Sequence, residues 1–364
     1  MKILSVLDAV GWGGTKEQAY ITAVGLKNLG FDISFALSFD FEAFKEKIKD
    51  KVPYYEFEKE TPFKRISFFT YKRLYDIISK NNFDVIFANS PKALDYVRII
   101  YPFLSKKPKI VAFKRSGRKS SMLSKYFKYS IADKIVVVSK KVYEELLEED
   151  FFKDKLRLIQ SGIDLSRFKR ASDDEKIALR KKYNLPLDKY IFVNVANYNP
   201  EIKGHIDILK AYKQIEKDNT MLLFVGLLTD KDAMKEASSF GIKHFLGLGY
   251  KEDVEYILRA CDSFVLGSRL EGIAGALLQA MASGLVCIST NVGGISEYMK
   301  DGINGFLIPP KDINAMAKAM EKVLNLDSNV REHIIQNAIA TSKEYSIENM
   351  LSKYVKLLEE LSKI

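Results

Sequence analysis

The sequence predicts an α/β protein built from two Rossmann-like, doubly wound parallel-sheet domains in tandem. Three observations predict it. Short apolar runs alternate with longer helical patterns along the chain. The alternation occurs twice, on either side of a charged stretch with little strand pattern. The chain has 364 residues, enough for two domains with cores of their own.

In the first half, residues 2–7, 32–37, 84–88, 109–113 and 134–138 read as strands. Helical patterns at 17–29, 71–80 and 141–149 lie between several of them. In the second half, 190–195, 221–225, 243–246, 263–266, 286–289 and 305–308 read as strands. Helical patterns at 206–217, 232–240, 253–259 and 274–282 separate them. The charged stretch 164–186 lies between the halves and sets a boundary near Arg167, giving domains 1–167 and 168–345. The end, 346–364, reads as an amphipathic helix with Met350, Leu351, Tyr354, Leu357, Leu358 and Leu361 on one side. No strand follows it, so it can pack on either domain, the first included. Ligands of such sheets bind outside the carboxyl ends of the strands. Two such domains facing each other would form a cleft.

Composition narrows the function classes. Met1-Lys2 leads straight into a strand pattern, with no signal peptide expected, and no apolar run approaches the roughly 20 residues of a membrane span. Cys261 and Cys287 have neither disulfide-framework nor metal-site spacing and read as buried thiols in a reducing compartment, which suits the cytoplasm. Net charge is +10, and residues 106–141 hold twelve Lys/Arg against one acid, Asp133. That block favours an anionic partner: phosphate groups, an acidic leaflet or nucleic acid. The plain alternative is a solvated lysine-rich surface. No nucleic-acid-binding module accompanies the charge, so a nucleic-acid partner is not expected.

Four stretches carry candidate chemistry. "DAVGWGGTKEQAY" (8–20) follows the first strand and opens a helix, and Gly11, Gly13 and Gly14 permit a tight turn and close ligand approach. Its spacing is neither the dinucleotide fingerprint nor a P-loop, so a structural turn and a phosphate site are equally open, and a dehydrogenase is disfavoured. "NVANYNPEIKGHIDILKAY" (194–212) places Lys203 beside Gly204 after a strand, which suits neutralisation of a phosphate. His205, one of three histidines, reads as a cap or packing residue. Glu271 lies before the helix pattern 274–282, where Gly272 and Gly275 expose backbone N–H groups to an anion or a sugar hydroxyl. Gln279 lies about 80° around an ideal helix from position 271, so the two converge on one ligand only if Glu271 reaches back from its loop. "NVGGISEY" (291–298) adds a second glycine turn before a helix.

Together these residues resemble the family 4 glycosyltransferases, group 1 type, with the GT-B fold. The resemblance rests on Ser268, Glu271-Gly272, Gln279-Ala280-Met281-Ala282, Gly284, Gly293-Gly294, Glu297 and Gly302-Ile303-Asn304-Gly305. "IQSGIDLSRF" (159–168), "VANYNPEIKGH" (195–205) and residues 245–268 are similar to further family motifs. The resemblance implies retaining transfer of a sugar from a nucleotide diphosphate donor, a UDP-sugar by preference, with no metal or other cofactor. The sequence has no D-x-D motif to hold a divalent ion. By position, the resemblance implies a diphosphate held by Lys203, with Gly13 and Gly14 approaching it. Glu271, with the backbone at Gly272, Ile273, Ala274 and Gly275, would hold the donor sugar. Gln279 would face the ribose, and Gly247 and Tyr250 the base. Asn197 occupies the stretch where the family often has an arginine. Lys203, Glu271 and Asn89 are the implied catalytic residues.

Two further departures bear on the site. Gln279 replaces a family glutamate, which keeps an acceptor for a ribose hydroxyl but removes the charge. The histidine usual in the first domain is absent, and Asn89 stands at the end of the matching strand. Asn89, Arg115, Arg118 and Lys119 are the candidate acceptor contacts. Aromatics at Tyr126, Phe127 and Tyr129 among the lysines, and a similar cluster at 61–75, suggest peripheral attachment to an anionic membrane surface. The expected acceptor is then a glycan or lipid-linked glycan, as in lipopolysaccharide or cell-surface polysaccharide synthesis. A non-catalytic GT-B protein that binds nucleotide or glycan is the alternative.

Overall fold

The computed structural model describes residues 1–8, 14–38, 42–58, 67–115 and 122–363. The chain divides into two compact units, Met1–Gly162 with Ile347–Ile364, and Ile163–Ser346. Where the sequence sets the boundary near Arg167, the contacts divide between Gly162 and Ile163.

The first unit holds seven strands: β1 (Lys2–Leu7), β2 (Asp32–Ser38), β3 (Tyr54–Glu58), β4 (Val85–Ala88), β5 (Lys109–Lys114), β6 (Lys134–Val137) and β7 (Leu156–Leu158). They form one parallel sheet in the order β3-β2-β1-β4-β5-β6-β7. β4 and β6 are buried along their whole length, as expected of parallel strands covered on both faces. One face packs Leu74, Val97 and Leu146 from helices Phe68–Asn81, Pro91–Ile100 and Lys140–Glu148. The other packs helix Gly14–Asn28 and, from the end of the chain, Met350, Tyr354, Leu357, Leu358 and Leu361 of helix Ile347–Ser362. Glu360 pairs with Arg157 at 2.7 Å on that same side.

The second unit holds β8 (Tyr190–Val195), β9 (Thr220–Val225), β10 (Phe245–Gly247), β11 (Ser263–Leu266), β12 (Val286–Thr290) and β13 (Phe306–Ile308). These form a parallel sheet in the order β10-β9-β8-β11-β12-β13. The order reverses between β1 and β4 in one unit and between β8 and β11 in the other. Those reversals are the switch points at which doubly wound sheets bind ligands.

Helix Met122–Tyr129 revises one expectation. Tyr126 packs on Phe151 and Phe152 with ring centroids 5.1 and 5.0 Å away. Tyr129 is in the core, and burial pushes its hydroxyl up to about 12. Tyr126 is half-buried and Tyr129 is buried, so Tyr129 is packed away from any lipid headgroup; Phe127 alone of the three is exposed.

Candidate donor site at the second switch point

Two loops build the site, one after β8 and one after β11, the strands that flank the second switch point. In the first, Asn199 accepts a hydrogen bond from the Ile202 N–H at 3.2 Å and starts the short helix Pro200–Lys203. Gly204 ends it with φ +65°, a left-handed conformation suited to glycine. A β-carbon there would fall 2.0 Å from the Gly267 carbonyl oxygen, so glycine also lets the two loops touch backbone to backbone. The Arg269 N–H donates to the Ile202 carbonyl at 2.8 Å and joins them again.

This apposition brings Lys203 and Glu271 together. The Lys203 ammonium donates to Glu271 Oε1 at 2.7 Å, and the Ser268 hydroxyl donates to the same oxygen at 2.6 Å. Oε2 has no hydrogen bond among the described residues. Glu271 is the more buried partner, with its side chain 11% exposed against 31% for Lys203. Thr290 fixes Ser268 from β12 by donating to its carbonyl at 2.6 Å. The helix Gly275–Ala282 begins just beyond, with no side-chain cap at Ala274. Among the described residues the N–H groups of Gly275 and Ala276 have no partner, and a β-carbon on Gly275 would meet nothing within 4 Å. Ile273 is half-buried against the core. A cation, a carboxylate and an open helix N-terminus thus share one place, which suits a ligand with both phosphate and hydroxyl groups.

The remaining sequence-predicted residues divide. Gln279 lies on that helix, half-buried, while Leu278 and Ala280 beside it are in the core. Its side chain makes no hydrogen bond among the described residues, to Glu271 or to any other. Asn197 is exposed and accepts from the Leu227 N–H at 3.0 Å, which ties the loop after β8 to the loop after β9. Gly247 is a packing glycine, since a β-carbon would fall 1.9 Å from the Thr229 carbonyl oxygen. Tyr250, in the same turn, is exposed. His205 is buried between Tyr198 and Phe224, with centroids 4.9 and 5.3 Å away. Burial lowers its pKa to about 4, so it is a neutral packing residue near neutral pH.

In the first unit, Gly13, Arg118 and Lys119 lie outside the described residues. Gly14 begins its helix with open space above it. Asn89 sits at the carboxyl end of β4 and is buried. Its amide nitrogen donates to Ser5 Oγ at 2.8 Å and to the Val6 carbonyl at 3.2 Å, and its oxygen accepts from Arg115 at 3.3 Å. The Asn89 amide is thus engaged on both sides, and it holds Arg115 at the strand ends. Sequence reasoning passed over the groups beside it. Ser90 donates to the Asp8 carboxylate, across the β1/β4 switch point. Lys16 is buried, and burial lowers its ammonium to about 8 against an opposing pull from Asp8. An Asp closing an apolar strand and a Lys one turn into the next helix were the available signals. In the second unit, Arg269 pairs with Asp207 at 3.1 Å. Among the described residues no three His, Cys, Asp or Glu side chains gather where they could hold a metal ion, and no helix is long and apolar enough to cross a membrane.

Known proteins share this plan. Residues 175–341 match the family described as glycosyl transferases group 1, and residues 12–167 match glycosyltransferase family 4. One relative is the UDP-Gal:alpha-D-GlcNAc-diphosphoundecaprenol alpha-1,3-galactosyltransferase of Escherichia coli, 28% identical over 72% of this chain and 73% of that one. Another is an uncharacterized glycosyltransferase of Methanocaldococcus jannaschii, 28% identical over 93% of this chain and 92% of its own. Among solved structures, Anabaena HepE in complex with UDP and glucose superposes with a TM-score of 0.85 at 20% identity, covering 99% of both chains. The chain belongs to the family 4, group 1 glycosyltransferases and has the GT-B fold.

Proposed function

We propose that this glycosyltransferase moves a sugar from a UDP-sugar to a glycan or lipid-linked acceptor, with retention of configuration and without a metal ion. The observation that carries the reading is the Lys203–Glu271 contact at the mouth of helix Gly275–Ala282. Lys203 would face the diphosphate, supported by the helix N-terminal N–H groups. These fixed charges and dipoles stabilise a leaving diphosphate and take the place of a divalent ion. Glu271 Oε2 would accept from donor-sugar hydroxyls. In the transfer, the bond from the anomeric carbon to the β-phosphate oxygen breaks. The acceptor oxygen bonds that carbon on the same face, and its proton passes to the departing phosphate. The uridine preference draws on the UDP bound to HepE and on the UDP-Gal donor in the E. coli relative's name.

That relative's lipid diphosphate acceptor also supports a lipid-linked substrate, as in lipopolysaccharide or cell-surface polysaccharide synthesis, and a place at the inner face of the cytoplasmic membrane. Exposed Phe68 and Phe69 on a helix with Lys72 and Arg73 favour peripheral attachment. The test is a thermal-shift panel with UDP, GDP, ADP and CMP on wild type and Lys203→Ala. A ligand that binds the folded state raises its stability with concentration. UDP should shift wild type strongly and Lys203→Ala much less. No shift by any nucleotide at millimolar concentration would refute the donor site.

A further inference from the structure

We propose that Tyr298 is a positioning residue of this donor site, whose hydroxyl takes hold of the Glu271 carboxylate when Lys203 leaves it for a diphosphate. The proposal rests on the donor reading above. Tyr298 ends helix Ile295–Tyr298 and is 3% exposed. Its ring meets Tyr345 edge-on at 5.3 Å and belongs to the same core cluster as Ala274 and Leu277. Its hydroxyl has no hydrogen-bond partner among the described residues. Most buried hydroxyls have one, and an exception asks for a reason.

The backbone supplies the reason. The segment before Tyr298 is locked onto the Glu271 loop. Gly293, at φ +58°, has no room for a β-carbon, which would fall 2.0 Å from the Glu271 carbonyl oxygen. The Gly294 N–H donates to the Gly272 carbonyl at 2.9 Å. Tyr298 therefore keeps its place relative to Glu271. Burial raises its pKa well above the ordinary value and the Glu271 carboxylate raises it further; a loose approach of the Ala274 N–H to the oxygen, short of a well-formed hydrogen bond, opposes them and leaves the hydroxyl proton free. The hydroxyl thus stays protonated and able to donate. Glu271 now receives both of its hydrogen bonds on Oε1. When Lys203 turns to a phosphate, a largely buried carboxylate keeps one bond. The Tyr298 hydroxyl supplies the replacement and holds the carboxylate still for the sugar.

A double-mutant cycle on the full chain without ligand tests this, with thermal stability as the readout. Tyr298→Phe keeps the ring and removes only the hydroxyl. In wild type it should leave Tm unchanged or raise it, because an unpartnered buried polar group is lost. In Lys203→Ala, where the carboxylate has been released, the same change should lower Tm by about 2–4 °C. Lys203→Met, which keeps the apolar stem, repeats the test should the alanine loosen the loop. A role in packing alone predicts equal effects in both backgrounds, and equal effects would overturn the proposal. With UDP present, Tyr298→Phe should also reduce the shift that UDP gives wild type. A wild type that UDP does not shift refutes the donor reading instead, while the ligand-free cycle still reports on Tyr298 and Glu271.

Discussion

Gly204 and Gly267 touch backbone to backbone: a β-carbon on Gly204 would lie 2.0 Å from the Gly267 carbonyl oxygen. The contact joins the loops after β8 and β11 and sets Lys203 within reach of Glu271. Gly204→Ala should therefore fail twice. A left-handed alanine costs about 1–2 kcal/mol, and the steric conflict adds about 1–3 kcal/mol more. Urea denaturation should show the loss of stability, and nucleotide binding should fall with it. An unchanged midpoint would mean that the loops do not need this contact.

Glu271→Gln separates charge from shape. The amide can still accept from Ser268, but Lys203 loses its ionic partner and becomes more available to a phosphate. UDP should then shift the variant's Tm at least as much as wild type. Sugar transfer should fall by about 10²–10³, the scale of removing one group that acts on the transition state. Comparing thermal shift with turnover of a UDP-sugar checks both. Loss of UDP binding in step with turnover would argue that Glu271 holds the nucleotide rather than the sugar.

His205 predicts an acid-sensitive second unit. Its folded pKa, about 4, lies below the ordinary histidine value of 6.5 because burial disfavours the charged ring. Between those values the unfolded chain binds the proton and the folded chain does not, so stability rises with pH through that range. The contribution is complete above about pH 6.5 and is lost as pH falls toward 4, amounting to about 3 kcal/mol. His205→Phe, between Tyr198 and Phe224, should flatten the Tm profile between pH 6.5 and 4. A variant that keeps the wild-type slope would place the acid sensitivity elsewhere.

The sequence made the central strands legible because parallel strands covered on both faces read as unbroken apolar runs. β3 (YYEFE) and β7 (LRL) escaped it. Both are edge strands, and one mixes half-exposed tyrosines with glutamates while the other is three residues long. Helix Asp173–Lys182 lay hidden in the charged stretch between the halves, since Leu179 and Arg180 are its buried residues. Its signals were electrostatic rather than periodic. Ser172 caps it at 3.3 Å, three acids occupy its first turn and three bases its last. Lys203 and Glu271 stood out as separate motifs, but their ion pair joins positions far apart in sequence through a glycine contact that no local pattern encodes. Asn89 was legible as a strand-end polar residue. Its engagement with Ser5 and Arg115 was not, since one partner lies in β1 and the other just past the end of β5.

Gln279→Glu is the gain-of-function test. Gln279 sits half-buried on the helix that starts at Gly275, with core residues on both sides, and its amide has no side-chain partner among the described residues. A carboxylate there would form a charge-assisted bond with a ribose hydroxyl, roughly twice as strong as the neutral one. The variant should bind UDP about tenfold more tightly, which is a gain of about 1.4 kcal/mol. The gain should vanish with a deoxyribose nucleotide that lacks the contacted hydroxyl, and it should not depend on Lys203. Calorimetric titration of UDP and its deoxy analogues into both proteins decides this. Equal affinities would show that position 279 does not meet the ribose, and the nucleoside end of the site would have to be sought near Tyr250 and the loop after β10.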